Sequence, residues 1–310
     1  MKSFRDYMKE KVSEYYRSSH VGKDFFTSPE LDPVFGWALA ESIYELIKDF
    51  KHPMLLELGG GNGSLAYDML SYLKGNREDF YSRLTYHIYE NSPYLRKIQR
   101  ERLKAFESKV FWIQELIPTE GVIFSNEFFD CLPVHVIKEG KELYVEDDRT
   151  VWKDIGDTRI MEFIERMGYE HLEQTIEVCL DCIDLLIEVS KNLRRGYHIL
   201  IDYGYTSKDI HKYTNGTLLG YGSHRVVKNI IKEGVFDLSA YVNFSALIEF
   251  GESLGFKTVS LQTQRDFLLS CPVFWEELKR LSLSEIPGDI ERLSRLKTLL
   301  ISMGDRFKVL

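Results

Sequence analysis

The sequence predicts an α/β fold: a doubly wound, mostly parallel sheet carrying helical and hairpin insertions. Three observations support this. The stretch Met54-Leu55-Leu56-Glu57-Leu58-Gly59-Gly60-Gly61-Asn62-Gly63-Ser64 is a short apolar run, a glycine cluster and then a helix-like pattern. That is how a nucleotide-binding βαβ unit opens. Strand-like and helix-like patterns then alternate as far as Pro133 at the spacing of a parallel sheet. After an interruption, Gly196-Tyr197-His198-Ile199-Leu200-Ile201-Asp202 resumes the sheet.

Residues 1–20 read as an amphipathic helix. Asp24-Phe25-Phe26-Thr27-Ser28-Pro29-Glu30 breaks it and starts another, in which Thr27 and Glu30 form a capping box and Pro29 suits the first turn. A helix from Leu31 to Phe50 ends at Lys51-His52-Pro53. Strand one spans 54–58 and a helix runs from about Ser64 to Lys74. Leu84 to Glu90 is strand two, and Asn91-Ser92-Pro93 caps the next helix. Lys109 to Ile113 is strand three, and Gly121 to Asn126 is strand four. Between Val134 and Trp152 a hairpin turns at Glu139-Gly140-Lys141, and helices follow at about 158–168 and 174–194. Tyr203 to Val242 is glycine- and tyrosine-rich with little periodicity, the pattern of a long functional loop. The end reads as helix (243–254), strand (256–262), further helices and a final edge strand at Phe307 to Leu310.

Composition narrows the function classes. A formal charge of −8 argues against a general nucleic-acid binder and leaves basic protein substrates open. With 44% hydrophobic residues a normal core is expected, and no run approaches the ~18–20 apolar residues of a membrane span. The N-terminal pattern is neither a secretory signal nor an acid-poor presequence, so a cytoplasmic location is expected. Cys131, Cys179, Cys182 and Cys271 are too scattered for a disulfide framework. Cys179-x-x-Cys182 lies in a helical pattern as core or half-buried positions, and no second ligand pair accompanies it to hold a metal.

In an open parallel sheet, ligands bind beyond the C-terminal strand ends near the switch in strand order. Strand one ends in Glu57 and its glycines, strand two in Glu90, strand three in Gln114-Glu115, strand four in Asn126-Glu127 and strand five in Asp202. A carboxylate after the second strand can accept from both hydroxyls of a ribose, which makes Glu90 the candidate. Gly59, Gly61 and Gly63 fit G-x-G-x-G; the dinucleotide fingerprint needs its third glycine at Ser64, which disfavours an NAD oxidoreductase. Glu127 and Asp130, in Asn126-Glu127-x-x-Asp130, could clamp a planar cation, and a guanidinium, with five donors in a fixed fork, matches best. His135 and His224 are weaker candidates. Tyr213 to Arg225 is basic and aromatic enough to cover the site as a lid.

Asp24-Phe25-Phe26-Thr27-Ser28-Pro29-Glu30, Glu57-Leu58-Gly59-Gly60-Gly61-Asn62-Gly63, Tyr86-His87-Ile88-Tyr89-Glu90-Asn91-Ser92-Pro93 and Asn126-Glu127-Phe128-Phe129-Asp130-Cys131-Leu132-Pro133-Val134 occur in this order. Ile201-Asp202-Tyr203-Gly204-Tyr205, Asp237-Leu238-Ser239-Ala240-Tyr241-Val242-Asn243-Phe244 and Met303-Gly304-Asp305-Arg306-Phe307-Lys308-Val309-Leu310 complete the set. Together they resemble the MidA-like family, whose mitochondrial members assist assembly of respiratory complex I. The resemblance implies a class I, Rossmann-like S-adenosyl-L-methionine (SAM) methyltransferase. For the mitochondrial members it implies symmetric dimethylation of an arginine in a complex I subunit. It places Glu57, Gly59, Gly61, Gly63 and Glu90 at the cofactor, with Gln114 and Glu115 on the adenine side and Thr27 and Ser28 contributed by the covering helices. Asn126, Glu127 and Asp130 then face the substrate. Gly60 stands where proline is frequent in the family, and Asn243 replaces a commoner aspartate.

The expected organisation is one compact unit. Residues 1–53 cover the cofactor site, 54–133 and 196–310 form the core, and 134–195 are an inserted hairpin and helices. The partner expected is a protein with an exposed arginine segment, such as a respiratory-complex subunit, with no nucleic acid and no membrane insertion; a homo-oligomer is compatible. The competing reading is a SAM-binding assembly chaperone with little or no turnover, whose insertions hold a client.

Overall fold

A computed structural model of the chain describes residues 1–17, 27–147, 149–222, 225–227, 230–231, 236–304 and 306–310. It divides into two units. One comprises Met1–Phe25, Phe128–Glu188 and Gly204–Lys257; the other comprises Phe26–Glu127, Val189–Tyr203 and Thr258–Leu310.

The second unit is the doubly wound sheet. Its strands run in the order Gln262–Thr263, Phe307–Val309, Leu193–Tyr205, Thr119–Asn126, Met54–Leu58, Thr85–Tyr89, Val110–Ile113. The pairings from Leu193–Tyr205 to Val110–Ile113 are parallel, and those made by Phe307–Val309 are antiparallel. Met54–Leu58 is apolar at every position but one because a central parallel strand is covered on both faces. Register decides where chemistry can sit: Leu58 pairs with Tyr89 on one side and Ser125 on the other, and Asn126 pairs with Ile201. The C-terminal ends of Met54–Leu58, Thr85–Tyr89 and Thr119–Asn126 therefore lie level to within a residue, Leu193–Tyr205 runs on past them, and the switch in strand order falls beside Met54–Leu58.

Helices Val34–Ile47 and Ser64–Asn76 pack a shared apolar face, including Phe35, Leu39, Ile43, Leu65, Met69 and Leu70, against Leu55, Tyr86 and Phe124 of the sheet. The predicted Leu31–Phe50 helix is split: Ser28–Leu31 is a single turn, and Asp32-Pro33 turns the chain into Val34–Ile47. Asp32 makes that corner. Its Oδ1 accepts the Val34 N–H, and Arg292 grips both carboxylate oxygens at 2.9 and 3.0 Å. The predicted 256–262 strand shrinks to Gln262–Thr263, and the final strand lies inside the sheet between Leu193–Tyr205 and Gln262–Thr263 instead of at its edge.

In the first unit, helix Phe4–Arg17 packs Phe4, Tyr7 and Met8 on Val134, Val136, Val145, Phe236 and Leu238. Strands His135–Lys138 and Lys141–Glu146 form the hairpin turning at Glu139-Gly140, extended by Arg149–Asp154 on one side and by Ile176–Val178 and Lys2–Ser3 on the other. Helix Thr158–Met167 forms as expected, but the 174–194 pattern is a strand followed by helix Leu180–Asn192. The 203–242 stretch holds a small antiparallel sheet of Leu219–Gly222, Arg225–Val226 and Asp237–Ser239, whose short strands left no periodicity to read. Among the described residues no helix is long and apolar enough to cross a membrane.

Replacing Asp32 by Asn should destabilise the chain by about 2–3 kcal/mol, the scale of a lost charge-assisted hydrogen bond, because Arg292 loses the negative charge and one of its two acceptor oxygens there. Urea unfolding of both proteins measures it, and an unchanged midpoint would show that the corner stands without the pair.

Candidate functional site

The glycine turn is built by backbone geometry that other residues resist. Gly59, Gly61 and Gly63 have φ of +71°, +49° and +82°; each would cost an L-residue roughly 1–2 kcal/mol. The Gly59 N–H donates to Tyr89 O at 3.0 Å and the Gly63 N–H to Gly60 O at 2.8 Å, and Gly63 caps helix Ser64–Asn76. A side chain on Gly60 would meet Ile88 Cγ2 at 2.8 Å, whereas one on Gly61 would enter open space. The turn is thus closed on its sheet side and open on the side where a ligand would lie.

Two buried acids flank it. Glu57 is 2% exposed and its Oε2 accepts from the Tyr86 hydroxyl at 2.8 Å. Burial pushes its carboxyl up to about 8; the Tyr86 hydrogen bond opposes the shift and the nearby Glu90 adds to it. Glu90 is 8% exposed, and burial raises its carboxyl too, against hydrogen bonds from its surroundings. Its Oε1 accepts the Ser92 N–H at 2.8 Å, and its Oε2 accepts from Gln99 at 3.3 Å. The Asn91 N–H adds a further donor, and a carboxylate with about four lone-pair positions still keeps room for a hydroxyl.

Gln99 was not singled out from the sequence, yet it ties the site together. It sits fully buried on helix Pro93–Arg102. Its Nε2 donates to Gly61 O at 2.8 Å as well as to Glu90, and its Oε1 accepts the Trp112 indole N–H at 2.9 Å. One amide thus links the glycine turn, the acid after the second strand and the third strand. Its position on a helix with five charged residues in Pro93–Arg102 hid it, since only the fold turns it inward. The Arg100 guanidinium lies 4.2 Å from the Trp112 ring centre. Gln114 and Glu115 follow in an exposed bend.

From the N-terminal side, the Thr27 N–H and hydroxyl both donate to Glu30 Oε2, at 3.0 and 3.2 Å. Glu30 Oε1 receives the Asn62 amide from the glycine turn. Asn62 Oδ1 in turn accepts from Arg102 at 2.6 Å and from the Ser64 N–H at 3.0 Å. Ser28 is fully buried; its hydroxyl bonds Gln264 at 3.1 Å and its N–H donates to Glu127 Oε1 at 3.3 Å. The residues preceding Thr27 in the predicted motif lie outside the described ones, as does His224.

Glu127 takes a left-handed conformation, φ +51°, immediately after the fourth strand, with its N–H on Ile201 O at 2.9 Å. A non-glycine residue there costs about 1–3 kcal/mol and persists only where its surroundings sustain it. Asn126 Nδ2 donates to Glu127 Oε1 at 3.3 Å. Among the described residues, Asn126 Oδ1 and Ser125 Oγ are buried with no hydrogen-bond partner, at the end of the same strand. Asp202 is fully buried and accepts the Tyr203 N–H at 2.9 Å.

Asp130 belongs to the other unit. It is 6% exposed, its carbonyl accepts the Ala240 N–H at 2.9 Å, and Cys131 Sγ lies 3.5 Å from its Oδ1. Burial, with Asp237, Cys131 and Asp130 close by, holds the Tyr16 phenol well above its ordinary range. His135 pairs with Glu142 at 2.6 Å inside the hairpin sheet, a structural role. Among the described residues no His, Cys, Asp and Glu group is arranged to hold a metal.

Residues 38–262 match a family model described as "Putative S-adenosyl-L-methionine-dependent methyltransferase". The chain is 25% identical to the mitochondrial protein arginine methyltransferase NDUFAF7 of Danio rerio, over 99% of this chain and 82% of that protein. It is 29% identical to the protein of that name from Mus musculus, over 85% of this chain and 69% of the relative. A Burkholderia thailandensis protein crystallised with S-adenosyl-homocysteine shares the fold at a TM-score of 0.82 and 23% identity, covering 99% of this chain and 86% of that one. A native crystal structure of an uncharacterised protein from the same organism gives 0.84 at 26% identity, with the same coverage.

The raised carboxyl of Glu57 fixes the sign of a pH effect. Folding favours its protonated form, so its contribution to stability is complete below the ordinary carboxyl value of 4.5 and is lost as pH rises through about 8. Glu57→Gln should therefore flatten the fall in melting temperature between pH 5 and pH 9 in ligand-free protein. Parallel pH profiles for the two proteins would show that Glu57 ionises normally.

Proposed function

The chain belongs to the family of S-adenosyl-L-methionine-dependent methyltransferases whose model it matches over residues 38–262, and we propose that its methyl acceptor is an arginine side chain of a protein. The observation that carries this reading is the pair of acceptors at the end of strand Thr119–Asn126. The buried Asn126 Oδ1 has no donor among the described residues, and beside it the Glu127 carboxylate is held in a strained backbone position. Buried acceptors without donors are costly, so this end of the strand suits a substrate rich in N–H groups. A guanidinium supplies five donors in a plane. The names of the relatives, protein arginine methyltransferases, agree with it.

The residues present fit SAM. The glycine turn is open on one side, and the buried Glu90 has acceptor capacity for the ribose hydroxyls. Gly59, Gly61 and Gly63 would hold the methionine part, with Glu57 behind them and Thr27 and Ser28 above. Gln114 and Glu115 would border the adenine. When bound, SAM supplies an electrophilic methyl carbon on a sulfonium.

The chain's own work is then orientation and proton removal. A guanidinium with a pKa of ~13 is neutral about once in a million at pH 7, so the attacking nitrogen must shed a proton as it acquires the methyl group. Glu127 and Asn126 would align the guanidinium plane, and the Glu127 carboxylate would receive that proton. Following the family resemblance, the proposed product is symmetric dimethylarginine and the proposed client a subunit of a respiratory NADH dehydrogenase-like complex.

Glu127→Gln should lower kcat/KM for an arginine peptide about 100-fold or more, the scale of a lost proton acceptor, while S-adenosyl-homocysteine binds as before. Full activity in that variant would remove Glu127 from the chemistry. Gln99→Ala should do the reverse, weakening S-adenosyl-homocysteine about tenfold or more by calorimetry. Unchanged affinity would show that Glu90 and the glycine turn need no link.

A further inference from the structure

Cys179 and Cys182 are joined in a disulfide. The sequence pattern made them helix positions, but Cys179 lies between strand Ile176–Val178 and helix Leu180–Asn192, at the N-terminus of a 13-residue helix. The Cys182 N–H points at Cys179 Sγ at 3.1 Å. A helix N-terminus and a directed amide both favour thiolate over thiol. Exposure is unequal: Cys179 is half-buried and Cys182 is 5% exposed. An accessible, thiolate-stabilised sulfur backed by a buried partner is the arrangement that thiol–disulfide exchange requires. Cys271, in contrast, is buried, and its burial pushes the thiol up.

Both sulfurs also abut the loop that carries Asp130, within the same unit. Cys182 Sγ is 3.8 Å from Phe129 O, and Cys179 Sγ is 3.7 Å from Pro133 O. A disulfide sulfur has no proton to give a carbonyl, whereas a thiol has one. Reduction therefore gives Phe129 O a Cys182 S–H donor that the disulfide lacks, whereas a Cys179 thiolate has no proton for Pro133 O. Phe129 O already accepts the Leu132 N–H at 3.2 Å, so a further donor there would bear on the same turn.

We propose that Cys179 and Cys182 form a reversible thiol–disulfide site for a low-molecular-weight thiol, and that its redox state sets the order of the Phe129–Pro133 loop. In reduction, an external thiolate attacks Cys179 Sγ. The Cys179–Cys182 bond breaks, its electron pair leaves on Cys182 Sγ, and that sulfur takes up a proton. A second external thiolate attacks the external sulfur of the mixed disulfide and releases Cys179 as a thiolate held by the Cys182 N–H. The protein gains two electrons and the external thiols become a disulfide; an external disulfide reverses each step. The proposal does not rest on arginine as the methyl acceptor, and its readouts need no methyl transfer.

The test equilibrates the full chain in glutathione buffers of varied thiol-to-disulfide ratio, then maps the cysteines by differential alkylation and mass spectrometry. Hydrogen exchange is measured on the same samples. Cys179 and Cys182 should lose and regain their two thiols together while Cys271 keeps its own. The peptide spanning 128–134 should exchange more slowly in the dithiol form, with the strand Met54–Leu58 unchanged. Cys182→Ser should capture glutathione on Cys179, and Cys179→Ser should capture less on Cys182. A pair that never oxidises in these buffers, loop exchange that is equal or faster in the dithiol form, or equal capture by the two variants would overturn the proposal.

Discussion

The in-register pairing of Met54–Leu58 with a parallel neighbour on each side is the constraint on which the rest of the site depends. Because Leu58 is level with both Tyr89 and Ser125, the glycine turn, Glu90 and Asn126-Glu127 emerge at one edge of the sheet. A shift of one residue in either pairing would send alternate side chains to the opposite face and take Glu57 out of reach of the Tyr86 hydroxyl. The burial of Glu57 and Glu90 follows from the same alignment. Among the described residues neither acid makes an ion pair; neutral donors accommodate each, Tyr86 for one and Gln99 with Ser92 for the other. That leaves a site whose acids are polar, buried and without an ion-pair partner among the described residues, open to a ligand carrying hydroxyl and N–H donors.

A second layer is supplied by polar side chains that do no chemistry themselves. Glu30 and Asn62 fasten the turn Ser28–Leu31 to the glycine turn, and Asp32 with Arg292 sets the corner that follows. Through the Ser28 N–H this layer also reaches Glu127. The left-handed conformation of Glu127 is sustained by such surroundings, since nothing in the local sequence favours it.

Much of this was legible in the sequence, because the signals were local. A strand that ends in glycines, an acid closing the next strand and Ser92-Pro93 opening a helix are each set by neighbouring residues. Ser92 does accept the Leu95 N–H at 3.3 Å, as a cap should. The features that no local signal carries are set by tertiary context. Gln99 reads as one polar residue among many on a charged helix until the fold buries it. The strand Phe307–Val309 looked terminal, and so peripheral, but antiparallel pairing on both sides places it inside the sheet. Ile176–Val178 is three residues long and apolar at two of them, too short for a period of two to be told from the helix it precedes.

We propose that the methyltransferase site at these C-terminal strand ends acts on arginine. Mass spectrometry of arginine-containing peptides from cells with and without this protein tests it most directly. At least one dimethylated arginine in a protein should disappear on deletion and return with the wild-type chain but not with Glu127→Gln. An unchanged set of methylated arginines would contradict it.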